Sequence, residues 1–194
     1  MDTMTISQAD PITRFDQRAA DFGDILERAA ARADAPTPCE GWTVQDVVAH
    51  VVATQRDFLA GQELDLPAAP DLGDDLAAGW RAHVAAVSDA VAAEGVAARE
   101  YDGFFGRTTI GQTLADFYGW DLVIHGSDVS RATGQSWTVT DEEAAALHAT
   151  ADGWGAALHM EGICAPAVDV PSDASTTDRL LARLGRDPDW EPRG

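Results

Sequence analysis

Tyr118-Gly-Trp-Asp-Leu-Val-Ile-His-Gly-Ser-Asp-Val-Ser-Arg-Ala-Thr133 is the stretch around which the chain is organised. Together with Leu114 just before it, Tyr118, Asp121, His125, Asp128 and Ala132 recur at steps of three and four, which places them on one face of a helix. Asp121 and His125 stand one turn apart, with roughly 5–6 Å between Cβ atoms, so a carboxylate and an imidazole can converge on one point. Burying either group unpaired would cost roughly several kcal/mol, so each needs a partner. The spacing suits two metal ligands, and it equally suits a hydrogen-bonded pair, which on pattern alone is the commoner arrangement. A third ligand would have to come from another helix, and the candidate is His50.

Working outward, the same periodicity marks further helices. Asp10-Pro11 reads as an N-cap followed by proline at the first helical position, and Ile12, Phe15, Ala19, Phe22, Leu26 and Ala29 carry an apolar stripe to about Arg32. A connector over 33–42 holds Pro36, Pro38 and Gly41, after which Thr43 caps a second helix with Asp46 in a weak capping-box position. Val47, Val51, Thr54 and Phe58 form its inner stripe, with His50 beside it. Residues 61–70 read as a second connector, and Leu72 to Val91 as a third helix ending near Gly95. Residues 95–106 break the period and are expected to run extended, before Thr109 and Gln112 open the fourth helix, which Gly134 stops. Thr140-Asp-Glu-Glu143 is a stronger capping box for a fifth helix through Leu158, and Ser175 to Leu184 is a short last one. No βαβ alternation is present. The expectation is an all-α protein, a four-helix bundle with additional C-terminal helices, in which 1–9 is a flexible tail and 10–194 a single domain.

The 194 residues carry a formal net charge of −20 and a pI near 4.2, which argues against nucleic acid or an anionic membrane as partner. All the cationic residues are Arg, none Lys. No run is apolar enough to span a bilayer and the N-terminus lacks a basic and an apolar signal region, so a soluble, cytoplasmic protein is expected. The two cysteines, Cys39 and Cys164, are far apart and form no CxxC pair, which points to reduced thiols.

A His from one helix with a carboxylate and a His at i, i+4 on another is a three-ligand set of the kind bundles build at their centres, and it leaves coordination positions open. Two imidazoles and one carboxylate suit zinc, the default, and also iron or nickel. His83, His148 and His159 lack such a trio and are expected to be structural or at the surface. Cys39 is read as a small buried group, with a role as fourth ligand left open.

The run Pro38-Cys-Glu-Gly-Trp-Thr-Val-Gln-Asp-Val-Val-Ala-His50, followed about seventy residues later by Asp121-Leu-Val-Ile-His125-Gly-Ser-Asp128 and Ala132-Thr-Gly134, resembles the DinB/YfiT-like superfamily. Within it the chain is most similar to the branch typified by the N-terminal domain of mycothiol-dependent maleylpyruvate isomerase. The ending, from Val170-Pro-Ser-Asp-Ala-Ser to Asp178-Arg-Leu-Leu-Ala-Arg-Leu-Gly-Arg-Asp-Pro188, resembles a group of uncharacterised actinobacterial proteins. The resemblance implies a bundle holding a divalent metal through His50, Asp121 and His125, with mycothiol as a thiol cofactor. Two departures are visible: the branch more often has Glu where Asp121 stands, and 194 residues leave no room for the isomerase's further C-terminal domain. Isomerisation of maleylpyruvate is therefore not carried over.

The leading expectation is a thiol-dependent metalloenzyme, a transferase or isomerase, whose partners are a small-molecule thiol and an electrophilic substrate. Tyr118, Asp128 and Arg131, with Trp120 as a weaker companion, are the candidates for contacting cofactor. The alternatives are a metal-dependent hydrolase using bound water, for which Asp128 is the one candidate base, and a non-enzymatic metal-binding or stress-associated bundle. A homodimer is left open.

Overall fold

The computed structural model describes residues 9–73, 75–160 and 163–192. The expected tail over 1–9 lies outside them except for its last residue. Helix α1 (Pro11–Ala29) starts where Asp10 Oδ1 accepts the Ile12 and Thr13 amides, each at 3.1 Å. A single 3₁₀ turn, Ala30–Arg32, finishes it. Helix α2 (Val44–Gly61) begins at a full capping box: Thr43 Oγ1 accepts the Asp46 amide, and Asp46 accepts the Thr43 amide at 2.9 Å. Val44, Val47, Val48, Val51 and Val52 are all buried in α2. β-Branched residues cost roughly 0.5 kcal/mol each in helix propensity, whereas burying each contributes about 1.5 kcal/mol or more, so packing decides.

Helix α3 (Leu76–Val91) starts at Asp75, which accepts the Ala78 amide. This is four residues later than its apolar pattern suggests: Leu72 belongs to the connector and packs against Gly79, where a Cβ would come within 2.6 Å of it. The stretch expected to run extended is a two-stranded antiparallel ribbon, β1 (Glu100–Gly103) with β2 (Gly106–Thr109), in register Tyr101 to Thr108. The ribbon leads into helix α4 (Ile110–Thr113), a π-helical turn over Leu114–Tyr118, and helix α5 (Gly119–Thr133), which Gly134 ends at φ +73°. The fourth helix is thus one rod with a wide turn in it. Helix α6 (Asp141–Trp154) follows Thr140, which accepts the Glu143 amide; a 3₁₀ turn over Gly155–His159 replaces its expected last turn. Helix α7 (Thr176–Arg183) is short.

α1 packs against α3 and α5, and α2 packs against the same two, so α1 and α2 occupy opposite corners of a four-helix core. The connector over 30–43 therefore crosses the end of the bundle. Phe15, Phe22, Leu26, Val51, Leu59, Trp80 and Leu122 fill the interior, and the buried Trp80 indole donates to the Ala19 carbonyl at 2.9 Å. A second apolar cluster, including Trp120, Ile124, Leu147, Leu158 and Leu180, glues α6 and α7 to the outer face of α5. The all-α reading holds, with the ribbon as its one extended element among the described residues. No helix among them is long and apolar enough to cross a membrane.

Candidate metal centre

The crossing connector forms the first part of the site. Trp42 N–H bonds the Cys39 carbonyl at 3.0 Å and Gly41 takes φ +80°, the positive value that the third position of a type II turn requires. Thr37 ties the turn shut, its amide and hydroxyl both donating to the Trp42 carbonyl at 2.9 Å. The turn places Cys39 and Trp42 where α2 meets α5. The Trp42 ring centroid lies 4.8 Å from that of His50 and 6.3 Å from that of His125, nearly parallel to the latter.

His50 from α2 meets Asp121 and His125 from α5: one ligand atom from each lies within 4.8 Å of the others. The ring centroids of His50 and His125 are 5.4 Å apart, and His125 Nε2 is 3.4 Å from Asp121 Oδ1. Helix spacing supplies the Asp121 and His125 pair, while only the packing of α2 on α5 adds His50. Two imidazoles and one carboxylate within a sphere of this size are a donor set that fits a divalent ion, and three ligands leave it open positions.

His125 is oriented from behind. Its Nδ1 is 2.9 Å from Asp128 Oδ2, which leaves Nε2 for the trio. Asp128, fully buried, also receives Arg186 Nη2 at 2.9 Å, Arg186 Nε at 3.3 Å and the Cys39 thiol at 3.2 Å. Arg186 Nη2 lies 3.6 Å from Cys39 Sγ. Burial works against charge throughout this cluster, and the charges overcome it by pairing. Burial alone would strip the proton from His125, but the Asp121 carboxylate and the Asp128 hydrogen bond push it up to about 10. Burial would likewise raise Asp128, yet Arg186 and His125 hold it well below the usual carboxylate range. At His50 burial wins, and its imidazole falls below the ordinary value despite the pull of Asp121. Burial thus favours the neutral form at His50, and the two flanking carboxylates favour the charged form at His125.

Of the other residues singled out in the sequence, Tyr118 lines the adjoining cavity, and its hydroxyl donates to the Thr54 carbonyl at 3.1 Å, linking α5 to α2. Burial pushes that phenol far above its ordinary range. Trp120 also lines the cavity, with its indole N–H on the Leu147 carbonyl at 3.1 Å. Asp128 sits behind His125 with no exposed surface, and Arg131 lies elsewhere: its guanidinium grips the Asp187, Pro188 and Trp190 carbonyls at 2.7–2.8 Å. His83 is buried against Gln55 at 2.9 Å, His148 meets Arg183 at 3.2 Å, and His159 hydrogen-bonds the Ala165 carbonyl at 2.9 Å.

The sequence reading missed Trp42, Phe117, Trp154 and Arg186. Phe117 and Tyr118 both border the cavity and fall in the π-helical turn, a feature common beside functional sites. Arg186 follows Gly185, whose φ of +76° and tight approach to Ala165 turn the chain off α7 toward the site. Glycine after a helix was a readable stop signal, but its consequence 58 residues from Asp128 was not. The cavity measures about 790 Å³.

Compared with known proteins, the chain matches the family described as the mycothiol maleylpyruvate isomerase N-terminal domain over residues 13–130. It is 32% identical over 179 residues to an uncharacterized protein of Mycobacterium tuberculosis, found alike in strains CDC 1551 / Oshkosh and H37Rv. That alignment covers 88% of this chain and 94% of the relative. No solved structure matches it.

Proposed function

The chain belongs to the mycothiol maleylpyruvate isomerase N-terminal domain family, and on that membership and the open donor trio we propose a metalloprotein that activates a low-molecular-weight thiol, such as mycothiol, toward an electrophilic small molecule. The observation that carries the reading is the meeting of His50, Asp121 and His125 across two helices, with Asp128 fixing the tautomer of His125. These three side chains would hold a divalent ion, zinc by default. Such an ion supplies positive charge that keeps a thiol sulfur in its thiolate form at neutral pH. His125 must release its proton before Nε2 can ligate, and the Nδ1 contact with Asp128 then keeps the ring basic.

Trp42 packs against both imidazoles and so restricts their orientation. Tyr118, through its hydroxyl on Thr54, holds the facing stretches of α2 and α5 at fixed separation, and it borders the space where the cofactor would lie. A thiol bound there would supply a thiolate nucleophile for an electrophilic carbon, its proton passing to solvent; a transferase would then expel a leaving group with its electron pair, and an isomerase would expel the sulfur after rotation about the weakened bond.

Hydrolysis by bound water is less well supported, because its one candidate base, Asp128, is buried and committed to Arg186, His125 and Cys39. A purely structural ion would call for four protein ligands. Cys39 makes its contacts on the Asp128 side of the His125 ring, away from Asp121.

The test starts with elemental analysis of untagged protein, since a histidine tag recruits nickel, and proceeds to His50→Ala, Asp121→Ala and His125→Ala. About one divalent ion per chain, lost in each variant, is expected. Millimolar thiol should then change the visible spectrum of the cobalt-substituted protein. A spectrum indifferent to every thiol would sink the proposal.

A further inference from the structure

We propose that the electrophile taken at this site is an uncharged aromatic molecule, held along an apolar wall that the C-terminal part of the chain supplies. The inference rests on the thiol-chemistry reading of the cavity. The family match ends at residue 130, yet Trp154, Met160, Ile163, Val168 and Trp190, all beyond it, border the cavity. Trp42, Phe117 and Trp120 from the matched part border the same cavity. This part of the lining therefore lies outside the span matched by the family.

A cluster of aromatic rings joins the ribbon tip to the cavity lining. Phe105, half-exposed at the tip of the ribbon, stacks on Trp154 at 5.6 Å with ring planes 21° apart. Trp154 in turn meets Phe117 at 5.4 Å and Trp120 edge-on at 4.7 Å. Trp120 adjoins Asp121 in sequence. Met160 and Ile163, 51% and 46% exposed, add apolar surface to the cavity lining. Flat apolar walls of this kind bind ring systems by offset and edge-on contact.

Charge excludes the other class of substrate. Among the described residues bordering the cavity, Arg186 is the only Arg, and its guanidinium is committed to Asp128 and to the Leu184 carbonyl at 2.9 Å. Glu40, Asp121 and Asp187 border the same cavity, in a chain of net charge −20. A carboxylate substrate would enter against like charge and find no unpaired guanidinium to replace its water. His125, the imidazole here whose charged form is favoured, is paired with Asp128 and Asp121, and an ion held by the trio would, on the thiol reading, have its open position filled by the sulfur. The volume of about 790 Å³ leaves space for a one- or two-ring molecule beside a thiol.

Isothermal titration of the full chain, as purified and again after chelation, with 1-naphthol, 1-naphthoate and maleate tests this. One saturable site for 1-naphthol is expected in both preparations, at least tenfold tighter than for 1-naphthoate, with no heat from maleate. Ile163→Asp, at a half-exposed position the core does not need, should weaken 1-naphthol at least fivefold with the helical circular dichroism unchanged, and Trp154→Ala should do so where it folds. Equal or tighter binding of either carboxylate, or 1-naphthol binding indifferent to Ile163→Asp, overturns the proposal. Chelated protein, with every cavity residue in place, should bind 1-naphthol as the metal-loaded protein does. A cobalt-substituted protein whose spectrum no thiol changes, with 1-naphthol binding intact, would sink the thiol reading and leave the binding preference standing.

Discussion

Asp128→Asn separates the two tasks the buried carboxylate performs. In the wild type Asp128 accepts from His125 Nδ1, from both Nε and Nη2 of Arg186 and from Cys39, at 2.9–3.3 Å. Asparagine offers one acceptor oxygen and turns two N–H donors toward groups that are themselves donors. The Arg186 guanidinium, buried, loses its counter-charge, and breaking a buried pair in this way costs about 3–5 kcal/mol. For a chain of this size that corresponds to a fall in Tm of about 6–20 °C. The imidazole also loses the partner that orients it, which should weaken metal affinity about 10–100-fold. Urea unfolding of chelated protein measures the first effect, and zinc competition against a chromogenic chelator measures the second. Arg186→Met is the comparison, because it breaks the same ion pair but leaves the contact between His125 and Asp128 in place. It should destabilise to a similar extent while changing metal affinity by less than about tenfold. If Asp128→Asn retains zinc within about twofold of the wild type, or Arg186→Met weakens it as much, the orienting role is wrong.

Cys39→Ser should keep one ion per chain with little change in affinity, measured by elemental analysis; loss of the ion would make the thiol a ligand. Gly185→Ala forces a side chain into a backbone region at φ +76° and to within 2.5 Å of Ala165 Cβ, so it should cost about 2–4 kcal/mol in urea unfolding and expose the 185–190 segment to limited proteolysis. His83, fully buried, is pulled down to about 4 chiefly by burial and secondarily by the charge of Arg56. Its folded value lies below the unfolded value near 6.5, so the stability contributed by the neutral ring is complete above about pH 6.5 and lost as pH falls toward 4, by about 3 kcal/mol. His83→Gln should flatten that part of the stability profile, and an unchanged profile would refute the assignment.

The helices were legible in the sequence because their signals are local. Asp10-Pro11, Thr43 with Asp46, and Gly134 mark ends that the structure keeps, and a stripe repeating every three to four residues fixes which face goes inward. The pairing of Asp121 with His125 is local in the same sense, since one helical turn imposes it. The weaker of the two capping-box signals, at Thr43, formed both of its bonds, while the richer Thr140-Asp-Glu-Glu143 formed the Thr140 half. Composition alone did not rank them.

What lay outside the sequence's reach depends on separations that no periodicity encodes. That His50 joins the trio follows from α1 and α2 taking opposite corners, which brings α2 against α5. The π-helical turn at Leu114–Tyr118, whose Phe117 and Tyr118 border the cavity, carries no pattern distinct from an ordinary helix. Arg186 reaches Asp128 because Gly185 reverses the chain after α7 and Arg131 fastens the residues that follow. Local hydrogen bonding and alternation of apolar residues set the elements; the closing of distant side chains around one carboxylate is a property of packing, and only the tertiary structure decided it.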